Sequence, residues 1–103
     1  MGEVALFITG QAQPGRRDDI HQLYREMLAP HAAANEAQEI VVWCADQQDA
    51  DRFHLFEIYR DMESFGHNAQ SPEFAAYMGA VGPLLAGEPT VAMATPAWST
   101  GID

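Results

Sequence analysis

The sequence contains no lysine, and its only basic residues are five arginines, against fifteen aspartates and glutamates. The formal net charge at pH 7 is therefore −10. Nucleic acids and anionic membrane surfaces attract proteins through clustered basic side chains. Neither is expected as a partner, and the acidic excess predicts a soluble, self-repelling surface.

Cysteine occurs once, at Cys44, which excludes an internal disulfide. A catalytic thiol requires a polar, electropositive surrounding, whereas Cys44 follows the apolar segment 40–43. We therefore expect Cys44 to be a small core residue.

Several other signatures are missing. No run approaches the roughly 20 apolar residues that cross a bilayer, and the first residues do not resemble a signal peptide, so we expect a cytoplasmic protein. There is no His-x-His, His-Glu-x-x-His or cysteine pair and no glycine-rich phosphate loop. No metal site or nucleotide site is therefore expected.

The length and composition fit one folded domain. Of the 103 residues, 48% are hydrophobic and 19% are charged, which is the balance of a globular chain. The domain is expected to span 1–103, with a core over 3–95 and a C-terminal tail over 96–103. Runs rich in β-branched and aromatic residues alternate with helical spacing. The predicted elements are strands over 4–9, 40–45, 52–59 and 90–95, and helices over 16–35, over 61–67 and from position 71.

The first predicted helix carries one apolar stripe. Its members recur at helical spacing; they are Ile20, Leu23, Tyr24, Met27, Leu28 and His31. Pro30 must kink this helix or end its regular part, because proline removes a backbone hydrogen bond. His31 is expected only to end the stripe. Ser71 is predicted to cap the last helix, with Pro72 at its first position.

This order of elements predicts an α+β fold of the ferredoxin-like β-α-β-β-α-β type, with a four-stranded antiparallel sheet. Helices would cover one face only. The other face would expose several apolar side chains, which monomers rarely tolerate; the candidates are Leu6, Ile8, Val42, Cys44, Leu55, Val91 and Met93. We therefore expect a homodimer whose two sheets face each other, with the tail around Trp98 lapping onto the partner.

A more specific pattern occupies positions 57–74. It comprises Glu57-Ile58-Tyr59-Arg60-Asp61, Ser64, His67, Ser71-Pro72 and Phe74. In this order and spacing it resembles the antibiotic biosynthesis monooxygenase family of dimeric α+β barrel proteins, and the likeness extends over about 3–95. Many relatives have a Gly-Cys pair before the second strand and a tyrosine within it. Here Gln38-Glu39 replaces the pair, and Val41 or Val42 stands near the tyrosine position.

The resemblance implies oxygenation of a hydroxylated aromatic, polyketide or quinol by O2 without a cofactor. An electron-rich phenolate can pass an electron to O2 itself, provided that a proton acceptor, a hydrogen-bond donor and an apolar enclosure are present. His67 is the candidate acceptor, because imidazole titrates near neutral pH. Asn68, Tyr59 and Trp43 are candidate donors or walls. The remaining predicted lining residues are Phe56, Glu57, Phe65, Phe74, Tyr77, Met27 and Met78.

Alternatives remain at each level. His67 could instead stabilise the C-terminus of its short helix. Glu57, a charge on a core strand, is expected to form a salt bridge with an arginine of the same or the partner chain more readily than to act as an acid or base. The whole protein could also be a non-catalytic binder of a small aromatic ligand, or an isomerase of small carbonyl compounds.

Overall fold

The computed structural model describes residues 2–101, so Met1 and the predicted tail's last positions, 102–103, lie outside the described residues. The elements are β1 (Val4–Gln11), α1 (Arg17–Met27), α2 (Ala29–Ala34), β2 (Gln38–Ala45), β3 (Arg52–Tyr59), α3 (Met62–Ala69), α4 (Pro72–Val81), a 3-10 helix (Gly82–Leu84) and β4 (Thr90–Ala94). The strands form one antiparallel sheet in the order β2-β3-β1-β4. The predicted ferredoxin-like fold is confirmed.

The long first helix is interrupted where proline requires it. α1 ends at Met27, and α2 begins at Ala29 with Pro30 in its first turn. The apolar stripe continues across this break, since Ile20, Tyr24 and Leu28 are all buried. The last helix begins as predicted: the Ser71 hydroxyl accepts a hydrogen bond from the Phe74 amide at 3.2 Å.

The strand registers show which side chains face the helices. Leu6 pairs with Glu57 and Met93, and Ile8 pairs with Leu55 and Val91. Paired residues share a face, so all of these lie on the helix side of the sheet. Of the seven candidates for the other face, Leu6, Ile8, Leu55, Val91 and Met93 therefore lie on the helix side, and this part of the prediction is wrong.

The opposite side, which we call the open face, carries the alternate residues. Phe7 is 50% exposed and Val42 is 46% exposed there, and the Phe7 ring packs 5.1 Å from the ring of Phe56. Cys44 also lies on this face and is exposed, so the expectation of a core cysteine is wrong. Alternation along a strand fixes which residues share a face, but the helices decide which face is covered.

The main core forms where α1 and α4 pack on β3. Tyr24 and Tyr77 meet edge to face with ring centroids 5.8 Å apart, above the buried Phe53 and Leu55. Gly10 of β1 lies directly against the Phe53 ring of β3. A Cβ atom at this position would overlap the ring.

Arg17 fastens the start of α1 to the turn between β2 and β3. Its guanidinium reaches the backbone carbonyls of Asp46, Asp49 and Arg52 at 3.0–3.2 Å. A charged donor that bonds to carbonyl oxygens contributes more to stability than a neutral donor does. This contact positions α1 across the helix side of the sheet.

Replacing Arg17 by alanine is expected to lower the free energy of unfolding by about 1–2 kcal/mol, because the charged donor is lost. Urea denaturation would measure the change. Arg16→Ala is the matched control: Arg16 pairs only with Asp19 on the exposed surface, and its loss should cost less than about 0.5 kcal/mol. Equal losses in the two variants would contradict this role of Arg17.

Candidate functional site

An inner cavity lies between the helix side of the sheet and the helices. It has two adjoining chambers that are both lined mainly by apolar side chains. One measures about 230 Å³ and is called the polar chamber because His31, Gln38, Tyr59 and Asn68 lie in its wall, and the other, the apolar chamber, measures about 350 Å³. The residues that line both are Ile8, Tyr24, Leu28, Glu57, Phe74 and Val91. Ligand pockets commonly measure about 300–1,000 Å³, so these dimensions fit a small ligand.

A chain of hydrogen bonds crosses the wall of the polar chamber. The Asn68 side-chain amide donates to the Tyr59 hydroxyl at 2.7 Å, and the Asn68 side-chain oxygen lies 3.1 Å from Nε2 of His31. Tyr59 in turn interacts with the carboxyl group of Glu57. α2, α3 and β3 therefore each contribute a polar group to one connected network.

The directions of these bonds fix the state of His31. The Asn68 nitrogen is committed to Tyr59, so the Asn68 oxygen is left as an acceptor and His31 Nε2 must carry the hydrogen. In a neutral imidazole with a hydrogen on Nε2, Nδ1 holds a lone pair. His31 thus lies in the wall of the polar chamber with Nε2 as the donor to Asn68.

Gln38 reaches the same chamber through an irregularity in β2. Val41 is opposite Glu57, but the register shifts between Gln38 and Ile40, so that Gln38 is opposite Tyr59. The shift directs Gln38 to the helix side, where regular alternation would direct Glu39. Gln38 Nε2 donates to Oε1 of Glu57 at 3.3 Å, whereas Glu39 is exposed.

Glu57 is the only charged side chain that is buried within residues 2–101, with 8% of it exposed. Burial raises its pKa above the ordinary glutamate value, and hydrogen bonds from Tyr59 and Gln38 partly offset this effect. No arginine among residues 2–101 forms an ion pair with Glu57, so the expected salt bridge within the same chain is wrong, and one with a partner chain stays a prediction. Amide and phenol donors take the place of a cation.

Tyrosines surround this carboxyl group. Burial, followed by the negative charge of Glu57, raises the pKa values of Tyr24 and Tyr59, and it raises the pKa of Tyr77 to about 12. All three therefore keep their hydroxyl hydrogens at neutral pH and can serve as donors. Tyr59 is also held from the side by Phe65, whose ring meets it edge to face at 5.5 Å.

The structure brings most of the sequence-predicted residues together. Those that line the cavity are Tyr59, Asn68, Glu57, Phe65, Phe74, Tyr77 and Met78. Met27 packs against the core beside the cavity. Phe56 lies on the open face against Phe7, because it alternates with the cavity-facing Leu55 and Glu57.

His67 is exposed on α3, outside the set of residues that line the two chambers. It neighbours Asn68 in sequence but points elsewhere, because successive residues of a helix are about 100° apart. Its assignment as a proton acceptor therefore stays a prediction from the sequence pattern.

Trp43 lies on the helix side but lines a separate outer groove of about 660 Å³ between α2 and β2. Its ring is stacked between His21, with ring centroids 4.4 Å apart, and Phe53 at 5.3 Å. This stack explains the position of the indole as a packing element next to the cavity.

Among the polar side chains that line the polar chamber, the sequence argument missed Tyr24, His31 and Gln38. A signal for His31 was present, since it continues the buried stripe of Ile20, Tyr24 and Leu28. Nothing in the sequence indicates the register shift that directs Gln38 inward. The remaining chemistry of the wall comes from residues that the pattern at 57–74 contains.

Comparison with known proteins shows the family to which this chain belongs. A family model described as antibiotic biosynthesis monooxygenase matches residues 4–80. The chain belongs to the antibiotic biosynthesis monooxygenase family. Membership supports a monooxygenase-like role in general terms, and the family's segment contains every residue of the hydrogen-bond chain.

Solved structures agree with the antibiotic biosynthesis monooxygenase fold. A protein from Caulobacter crescentus has a TM-score of 0.88 at 18% identity, covering 94% of this chain and 92% of the other. Rv0793 from Mycobacterium tuberculosis has a TM-score of 0.84 at 23% identity, covering 97% and 100%. PA3566 from Pseudomonas aeruginosa has a TM-score of 0.83 at 18% identity, covering 95% and 97%. At these identities the likeness shows the fold alone.

No curated protein sequence matches this family member. Within residues 2–101, no helix is long and apolar enough to span a membrane. The same residues contain no group of three or more His, Cys, Asp or Glu side chains placed to hold a metal ion.

The pH dependence of stability tests the state of Glu57. Because its folded pKa is raised above the ordinary value of 4.5, stability linked to its proton is fully present below that pH. This stability is lost as the pH rises through the folded pKa. Glu57→Gln has no such proton, so its free energy of unfolding relative to wild type should rise between about pH 4.5 and pH 8. If the pKa of Glu57 in the folded protein is one pH unit above its ordinary value, the free energy of unfolding of Glu57→Gln relative to wild type rises by about 1.4 kcal/mol over this range.

Urea denaturation across this pH range would measure that difference. Glu88→Gln is the control, because Glu88 lines the apolar chamber but is exposed, and its difference from wild type should stay flat. A flat difference for Glu57→Gln as well would contradict the raised pKa of Glu57.

Proposed function

We propose that this protein is a cofactor-independent monooxygenase that acts on a small hydroxylated aromatic, polyketide or quinol in the inner cavity. The observation that carries the proposal is the hydrogen-bonded chain of His31, Asn68 and Tyr59 beside the buried Glu57, at one end of an otherwise apolar cavity. It brings a candidate proton acceptor and hydrogen-bond donors together beside apolar walls. Membership of the antibiotic biosynthesis monooxygenase family supports the reaction class.

The proposed reaction begins with a proton transfer. His31 Nδ1 accepts a proton from the substrate, and the resulting electron-rich anion passes an electron to O2. For an anthrone, the ring CH2 supplies two hydrogens. One oxygen atom of O2 forms the new C=O bond, and the other leaves with those hydrogens as water. The apolar walls, chiefly Phe65, Phe74 and Leu28, keep bulk water from the anion.

Replacing the proposed base tests this mechanism. His31→Gln keeps an N–H donor for Asn68 but removes the nitrogen that accepts the proton. We expect it to lower the rate of O2 uptake by about 100-fold or more, as is usual for the loss of a general base. An oxygen electrode would follow uptake with a panel of anthrones and hydroquinones.

His67→Gln is the matched control and should leave uptake unchanged, because His67 is exposed outside the cavity. Loss of uptake in His67→Gln but not in His31→Gln would return the base to the residue that the sequence pattern predicts. Tight binding without uptake beyond the blank would favour a binding protein, and turnover without oxygen would favour an isomerase.

We also propose that two copies pair through their open faces. Phe7, Val42 and Phe56 form an apolar centre there, and one end carries the polar chain of Thr9, His54 and Asp46. An apolar centre beside a polar rim is typical of protein interfaces.

The tail is placed to contribute to the same pairing. Pro96 and Ser99 line a cleft with Ile40 and Ile58 at one end of the open face. Trp98 between them is 83% exposed, which leaves its ring available to a partner.

Phe7→Asp is expected to produce a monomer, because it places a charge at the centre of the proposed interface. Light scattering at micromolar concentration would give the mass, which for wild type should equal two 11.3 kDa chains. Met62→Asp is the control, since Met62 is similarly exposed but lies on α3. A monomeric wild type would contradict the pairing.

A further inference from the structure

The inner cavity contains a buried carboxyl group without a cation to balance it. Glu57 lines both chambers, so a ligand in either one approaches it. Its partners are neutral donors, Gln38 and Tyr59. A second carboxylate on a ligand would be desolvated beside the first, which is unfavourable unless a positive charge compensates.

The arginines of the chain lie outside the walls of the cavity. None of the five lies among the residues of 2–101 that line either chamber. Arg17 and Arg52 hold the turn between β2 and β3, and Arg16 and Arg60 pair with the neighbouring acids Asp19 and Asp61. The chain contains no lysine.

His31 also lines the polar chamber, and its Nε2 lies 3.1 Å from the Asn68 side-chain oxygen. The walls therefore offer a carboxylated ligand hydrogen-bond donors but no arginine or lysine.

We propose that Glu57 is a specificity-determining residue, which makes the inner cavity select uncharged hydroxyaromatic ligands and reject those that carry a carboxylate. This inference rests on the proposed use of the cavity for a small aromatic ligand. The energy of repulsion is large enough to matter. Two unit charges ~6 Å apart at an effective dielectric constant of ~20 correspond to about a 100-fold loss of affinity.

Three related probes separate the effect of ligand size on affinity from the effect of ligand charge. 2-Naphthol, 6-hydroxy-2-naphthamide and 6-hydroxy-2-naphthoate share the ring and the hydroxyl, and the amide matches the carboxylate in shape without its charge. Calorimetric titration of the full chain at pH 8 would give their affinities. We expect wild type to bind the amide about 10–100-fold more tightly than the carboxylate.

Two variants test whether Glu57 is the cause. Glu57→Gln removes the charge, and Gln38→Lys leaves Glu57 in place but puts a cation beside it. Each should reduce the difference between amide and carboxylate to about threefold or less, which corresponds to the removal of one repulsive pair. Glu63→Gln, at an exposed acid of α3 that lines neither chamber, should leave the wild-type difference unchanged. If Glu57→Gln does not fold, Gln38→Lys decides the question.

The outcomes distinguish this inference from the proposed function. Equal binding of amide and carboxylate by wild type would overturn the selectivity and leave the cavity as a ligand site. A difference that persists in the folded charge-compensated variants would overturn the role of Glu57. Failure of both neutral probes to bind would overturn the proposed function and this inference together.

Discussion

A carboxyl group buried on an inner strand must find hydrogen-bond donors, and this requirement at Glu57 organises its surroundings. Tyr59 lies two residues further along β3 and therefore on the same face. Gln38 comes from the neighbouring strand through a shift in register. Asn68 supports Tyr59 from α3 and connects it with His31 on α2. One buried carboxyl group thus links residues from four elements of the fold.

The cavity persists because its walls resist collapse from two directions. Moving the helices closer would compress aromatic rings that already meet edge to face, Tyr24 on Tyr77 and Phe65 on Tyr59. Closing the polar chamber would also bury the donors and acceptors of its wall more deeply. The molecule therefore retains unfilled space and an unfavourable buried acid, as is common where stability is exchanged for function.

The two faces of the sheet carry different tasks. Residues of β1 and β3 that face the helices form the core and the cavity, while their immediate neighbours, Phe7 and Phe56, form the open face. A substitution in β3 can therefore affect the ligand site or the proposed pairing, depending on which face of the sheet the substituted side chain occupies. Gln38 illustrates the same dependence, because a shift of one position would exchange it for the acid Glu39 and add a second carboxylate to the chamber.

The sequence by itself determined most of the elements and their order, because strand composition, helical spacing, the helix break near Pro30 and the cap at Ser71 are local properties. The family followed from the resemblance of the pattern at 57–74. It also indicated Glu57, Tyr59 and Asn68, which belong to a contiguous pattern. The tertiary structure alone decided that Cys44 and Phe56 face away from the helices, that His31 meets Asn68, and that Gln38 turns inward. These outcomes depend on contacts between residues distant in sequence and on one irregular pairing of strands. Neither produces a periodic pattern in the sequence.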